Sequence, residues 1–158
     1  MSGGARVALN LSCVGKVYPP SEPYEVSREK IKEFALALRD GHDAYVDPRA
    51  ARALGYPDVI APPSFPMVVT LDAEYRAVLD PELGAQGQDR FVHREQRFAY
   101  ERPIHAGDVI TVTVRLAAVE TLARGDVVSY ESRITDLGGR HVCTGRSIFV
   151  VFGEEVPR

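Results

Sequence analysis

Pro62-Pro63-Ser64-Phe65-Pro66-Met67-Val68-Val69-Thr70-Leu71-Asp72-Ala73-Glu74-Tyr75-Arg76-Ala77-Val78-Leu79-Asp80-Pro81 is the stretch that decides the fold. A long helix is expected to begin at Pro62-Pro63-Ser64, where proline's fixed φ is tolerated, and to stop at Asp80-Pro81. Met67, Leu71, Tyr75, Val78 and Leu79 recur at helical spacing, and Val68 and Ala77 widen that face. A face this wide predicts a helix covered around most of its circumference. Beyond residue 88 the period changes to two. Phe91–Tyr100, Asp108–Val119, Asp126–Thr135 and His141–Phe152 alternate in large part and are rich in Val, Ile, Thr and Phe. Ala106-Gly107-Asp108, Arg124-Gly125-Asp126 and Asp136-Leu137-Gly138-Gly139 supply the turns of an antiparallel meander.

Upstream, residues 17–24 carry too much proline for helix or central strand and predict an extended lead-in. Ser27 is an N-cap with Glu29 in the first turn, and Ile31, Phe34, Ala35 and Leu38 predict an amphipathic helix over 28–39. Asp47-Pro48 opens a short second helix that ends at Gly55. A helix-rich half followed by a sheet-rich half is α+β. A long, mostly buried helix followed by such strands predicts a curved sheet wrapped around it, the hot-dog architecture. The reading is one domain over 1–158 with its core at about 14–152, followed by a short tail at Gly153–Arg158.

Composition narrows the function. In 158 residues, 45% are apolar and 26% charged, which is ordinary for a packed globular chain. A net charge of −3 offers no basic footprint for nucleic acid or an anionic membrane. No apolar run is long enough for a transmembrane helix, and the first ten residues do not resemble a signal peptide. Cys13 and Cys143 make no disulfide framework, so the cytoplasm is the expected compartment. His42, His93, His105 and His141 are scattered without metal-ligand spacing, and no metal is expected.

The stretch with the most chemistry is Arg39-Asp40-Gly41-His42-Asp43-Ala44-Tyr45-Val46-Asp47. Asp40 ends the first helix, and Gly41 can take a positive φ and turn the chain. A carboxylate on such a turn beside an apolar tunnel could act as a general base, with desolvation raising its pKa. An Asx turn at a helix end accounts for Asp40 and Asp43 equally well.

The order of helix, Asp-containing loop, short helix, Gly55-Tyr56-Pro57-Asp58-Val59-Ile60-Ala61-Pro62-Pro63-Ser64-Phe65, long helix and four strands resembles the MaoC-like family. That family comprises (R)-specific enoyl-thioester hydratases and hydroxyacyl-thioester dehydratases. The chain is most similar to its amino-terminal-type, fatty-acid-synthase-like dehydratase domain, over Val14 to Phe152. Tyr24–Ile31, Val92–Phe98 and Arg102–Asp108 support the resemblance.

Catalytic members carry Gly-Asp-x-Asn-Pro-x-His in the loop, and the aspartate and histidine move a water onto or off the double bond. By that resemblance Asp40 matches the aspartate, His42 the asparagine, Asp43 the proline and Tyr45 the histidine. A phenol with a pKa of about 10 replaces an imidazole near about 6.5 poorly when protons move both ways at neutral pH. His42 is a weak substitute. Catalytic members also start the long helix with histidine–glycine, whose N–H polarises the thioester carbonyl. The matching Pro62 and Pro63 have no N–H, and loss of such a donor costs roughly 3 kcal/mol of transition-state stabilisation.

The resemblance implies a dehydratase component that needs no cofactor and takes CoA- or carrier-protein-linked acyl groups. Pro63, Ser64, Phe65, His93 and Glu95 are its candidate substrate contacts, with His93 and Glu95 expected on one strand face. It further implies a homodimer, or a heterodimer in which a catalytic MaoC-like subunit completes this acyl-holding one. Alternatives are a self-sufficient homodimeric hydratase using Asp40 with His42 or His93, and a non-catalytic acyl-thioester-binding protein. A thioesterase using Asp72 or Glu74 would place a carboxylate on the long helix, although a solvated helix edge explains both. Gly145 inside a strand predicts a bulge or a close backbone approach.

Overall fold

A computed structural model describes residues 9–85, 90–122 and 125–152; the expected tail at Gly153–Arg158 and Arg124 of the second turn lie outside them. Helices α1 (Arg28–Leu38), α2 (Pro48–Ala53) and α3 (Met67–Val78) precede the long strands, as expected. Strands β1 (Tyr24–Glu25), β2 (Arg90–Tyr100), β3 (Val109–Leu122), β4 (Gly125–Asp136) and β5 (His141–Phe152) form one sheet. Its order is β1-β3-β4-β5-β2 and every pairing is antiparallel. The α+β hot-dog architecture is therefore present.

Local chemistry explains the boundaries. Ser27 accepts from the Lys30 N–H and starts α1, while Asp47 accepts from the Arg49 N–H and starts α2 with Pro48 in its first turn. The lead-in is extended and runs beside β3: the N–H of Tyr18 donates to Val114 O and that of Ser21 to Val112 O. Helix α3 begins later than expected. Prolines push the preceding residue out of helical conformation, so Pro62, Pro63 and Pro66 keep the regular ladder from closing before Met67. Tight turns fill the gap, with Phe65 N–H donating to Pro62 O and Met67 N–H to Ser64 O.

The sheet curls around α3. Register shifts fall between His93 and Glu95 on β2, between Leu116 and Ala118 on β3, and between Ile134 and Thr135 where β4 meets β5. Each added residue bends its strand and increases the twist. Ile110, Val112, Val114, Leu116, Val128, Tyr130, Ile134 and Phe149 line the concave face and are buried. Burying side chains of this size stabilises by roughly 2 kcal/mol each before entropy is counted.

The face α3 presents to the sheet differs from the expected one. Thr70, Glu74, Ala77 and Val78 are its buried residues, whereas Met67, Leu71 and Tyr75 are half-buried and Leu79 is 49% exposed. Asp72 and Arg76 pair in solvent, so the helix is not covered around most of its circumference. The apolar stripe lies along the side of the helix, against α1 and the β2 side of the sheet, where Tyr75 meets Phe91 edge-on at 5.4 Å.

The hairpin before β3 is held by charge. Asp108 is 8% exposed and accepts both guanidinium arms of Arg102 at 2.8 Å, and the His105 N–H at 2.9 Å. Asp108→Ala leaves a partly buried guanidinium and an amide unpaired, at a cost of about 2 kcal/mol. The expected outcome is a Tm lower by roughly 4–8 °C in a thermal melt.

Candidate functional site

Helix α1 ends with Arg39 at φ 56°, in the left-handed region, and the Asp40 N–H returns to Ala35 O at 3.0 Å. The turn expected of Gly41 is thus made two residues earlier, and Gly41 has no positive φ. Asp40 is exposed and its Oδ1 takes a long contact, 3.4 Å, from the His42 N–H. That is the Asx-type local role that the residues alone left open.

His42 caps the next turn, its Nδ1 accepting the Ala44 N–H at 3.2 Å, which places the imidazole proton on Nε2. Its ring lies 5.3 Å from that of Tyr45. Tyr45 is half-buried, and burial, then the Asp40 charge, push its phenol above the usual tyrosine range. Asp40, His42 and Tyr45 do gather on one loop. The imidazole caps a turn through Nδ1, and the phenol is a weaker acid than in water.

The loop is tied to the helix entrance through backbone, with the Ile60 N–H donating to Ala44 O at 3.0 Å and Ala61 N–H to Ile104 O at 2.7 Å. Phe65 is fully buried and packs edge-on against Phe34 of α1, so it supports the entrance. From the sheet, the Tyr100 hydroxyl donates to Pro63 O at 2.7 Å. Tyr100 was missed by sequence reasoning. A tyrosine ending an alternating strand carries no local signal, and only the sheet's curl brings it to Pro63. By fixing that carbonyl it also fixes the peptide plane whose other end is the Ser64 N–H. Ser64 is half-buried, and its N–H has no backbone or side-chain acceptor among the described residues. One amide donor therefore remains at the entrance, one residue beyond the proline pair.

His93 and Glu95 do not share a face. The extra residue Arg94 inverts the alternation: His93 stacks on Phe149 with centroids 4.7 Å apart, inside the sheet, and its Nε2 lies 3.1 Å from Glu95 O. The Glu95 side chain points to the convex face and pairs with Arg97. A bulge cannot be counted from alternation when both neighbouring residues are polar.

Glu74 is the larger correction. Instead of a solvated helix edge it is fully buried, its Oε1 accepting the Ser132 hydroxyl of β4 at 2.7 Å. Burial pushes its carboxyl up to about 7, against the opposing pull of the Ser132 and Ser147 hydroxyls. Asp72 is the exposed one, paired with Arg76.

A curled antiparallel sheet around one helix, with an aspartate loop at the helix entrance, defines a hot-dog dehydratase-type domain. Residues 12–145 match the model of the FAS1-like, dehydratase domain region, and the chain belongs to that family. A UPF0336 protein of Streptomyces avermitilis is 50% identical over 138 residues, covering 87% of this chain and 91% of the relative. Another, from Thermobifida fusca, is 43% identical over 148 residues, covering 94% and 97%. Among solved structures, the truncated HadBC (3R-hydroxyacyl-ACP dehydratase) complex of Mycobacterium tuberculosis is similar at TM-score 0.77 and 25% identity, covering 87% of this chain and 96% of that one. A MaoC-like dehydratase is similar at TM-score 0.81 and 31% identity, covering 90% of this chain and 43% of that one.

Glu74 makes stability pH-dependent with a definite sign. Its folded pKa near 7 exceeds its ordinary 4.5, so the stabilisation is complete below the ordinary value and is lost as pH rises through the folded one. The loss amounts to about 3 kcal/mol. Glu74→Gln removes it: compared with the parent chain, the variant's Tm should be similar near pH 5 and clearly higher near pH 8.

Proposed function

We propose that this chain is the acyl-holding subunit of an (R)-specific 3-hydroxyacyl-thioester dehydratase or enoyl-thioester hydratase. A MaoC-like partner would supply the Asp–His dyad. What supports this reading is Tyr45, which by the family resemblance matches the catalytic histidine and is half-buried with its phenol pushed further from neutrality. The proline pair at the helix entrance supports it, because the matching N–H donors are absent. The substrate is an acyl group on CoA or a carrier protein. Its thioester acidifies the α-proton, so the reaction asks no metal or redox cofactor of the protein.

A partner subunit is supported by the similar HadBC structure, itself a complex of dehydratase subunits. This chain also offers a place for one. Strand β2 pairs only with β5 in the sheet, leaving its other edge unpaired among the described residues. Continuing the sheet across that edge would set a second hot dog beside the entrance formed by Tyr45, Pro63 and Tyr100.

The self-sufficient hydratase is disfavoured by geometry. His42 is engaged as a turn cap, and His93 is stacked inside the sheet against Phe149. The test is hydration of crotonyl-CoA, followed by loss of enoyl absorbance, with the chain alone, with Asp40→Asn, and with a catalytic MaoC-like subunit added. The expected outcome is no turnover by the chain alone and turnover on adding the partner. Turnover by the chain alone that Asp40→Asn abolishes would overturn the proposal.

A further inference from the structure

Between α3 and the concave sheet face, the apolar interior is crossed by a belt of polar side chains. Tyr130 on β4, Ser147 on β5 and Gln96 on β2 stand in one cross-strand row. Thr70 and Glu74 face that row from α3, and Ser132 in the neighbouring row donates to Glu74. Thr70, Glu74 and Ser132 are fully buried, and Tyr130 and Ser147 are 1% exposed. The Thr70 hydroxyl, the second Glu74 oxygen, both amide atoms of Gln96 and the Tyr130 hydroxyl are buried without a hydrogen-bond partner among the described residues. Native interiors leave few such groups, and five such atoms on four side chains of one belt is a costly arrangement to retain for packing alone.

The belt lies at a definite depth. The entrance is the row of Tyr100 and Cys143, where the Tyr100 hydroxyl holds Pro63 O. One row further in stand Phe98 and Gly145, where an added Cβ would lie 3.2 Å from Phe98 Cε1 and 3.3 Å from Gln96 Nε2. At Gly145 there is no bulge, and what approaches it is side chains, not the backbone expected there. The next row is the belt itself, four residues from Tyr100 along β2 and so about 13 Å from the entrance. On α3, Glu74 is seven residues past Met67, about 10 Å along the axis. Both measures fall short of a long extended acyl tail.

We propose that the Glu74–Gln96 belt is the far wall of the acyl space, making this chain selective for short acyl thioesters and excluding long unbranched tails. The inference rests on the thioester-holding reading above. Methylenes beyond the Phe98 row would have to pass among polar atoms and separate Ser132 from Glu74. They would gain little apolar contact, while leaving a buried carboxyl without its donor.

Isothermal titration of the full chain with hexanoyl-CoA and dodecanoyl-CoA tests this. The expected result is dodecanoyl-CoA binding at least about tenfold more weakly than hexanoyl-CoA. Gln96→Leu and, separately, Glu74→Leu should close that gap by tightening dodecanoyl-CoA binding, each variant being checked for folding by thermal melt. Because Gln96 is on an edge strand, its variant keeps the test open if the Glu74 variant misfolds. Dodecanoyl-CoA binding as tightly as hexanoyl-CoA would overturn the belt's role and leave the thioester-holding reading standing. A length preference that neither folded variant changes would overturn it as well. Binding of neither thioester would overturn the thioester-holding reading and this inference together.

Discussion

The seating of α3 in the trough of the curled sheet is the contact on which the rest of the molecule depends. Bulges in the long strands make the trough, and α3 fills it with a face that is half polar: Thr70 and Glu74 as well as Ala77 and Val78. Its far end is pinned by the lead-in, where Lys16 and the Tyr18 hydroxyl both donate to Asp80, at 2.7 and 2.9 Å. Its near end is pinned by Tyr100 on Pro63. With both ends fixed, the Asp40–Tyr45 loop and the helix entrance have one relative position.

That position sets the Asp40–Tyr45 loop beside the helix entrance. Short backbone links carry the loop to the entrance, and those links do not depend on which side chain stands at 45. Tyr45 itself is half-buried and packs against the core. Prolines set the helix entrance, giving it a rigid approach and no N–H to donate at 62 and 63.

Much of the fold was legible because its signals are local. Ser27 and Asp47 cap helices through atoms two or three residues away, and the strands alternate because one face meets the core. The sheet order, the buried face of α3 and the partner of Tyr100 were not legible. A helical stripe read from Met67, Leu71 and Tyr75 shows where apolar residues lie around the axis. It does not show which neighbour they meet, and the sheet instead received Glu74, whose burial depends on Ser132 some sixty residues away. His93 and Glu95 failed for a related reason: one extra residue, Arg94, inverts a period of two, and nothing in the surrounding composition marks it.

The sequence by itself determined the α+β class, the helices, the strand meander and the identities of Tyr45 and the Pro62–Pro63 pair. These are matters of periodicity, capping and residue identity, which act within a few positions of chain. Only the tertiary structure decided that Glu74 is a buried acid, that Tyr100 grips Pro63, and that a polar belt crosses the interior. Each of these joins residues from separate elements, so each depends on the curvature and register of the sheet. Curvature and register are cooperative properties of all the strands together, and no single stretch of the chain encodes them.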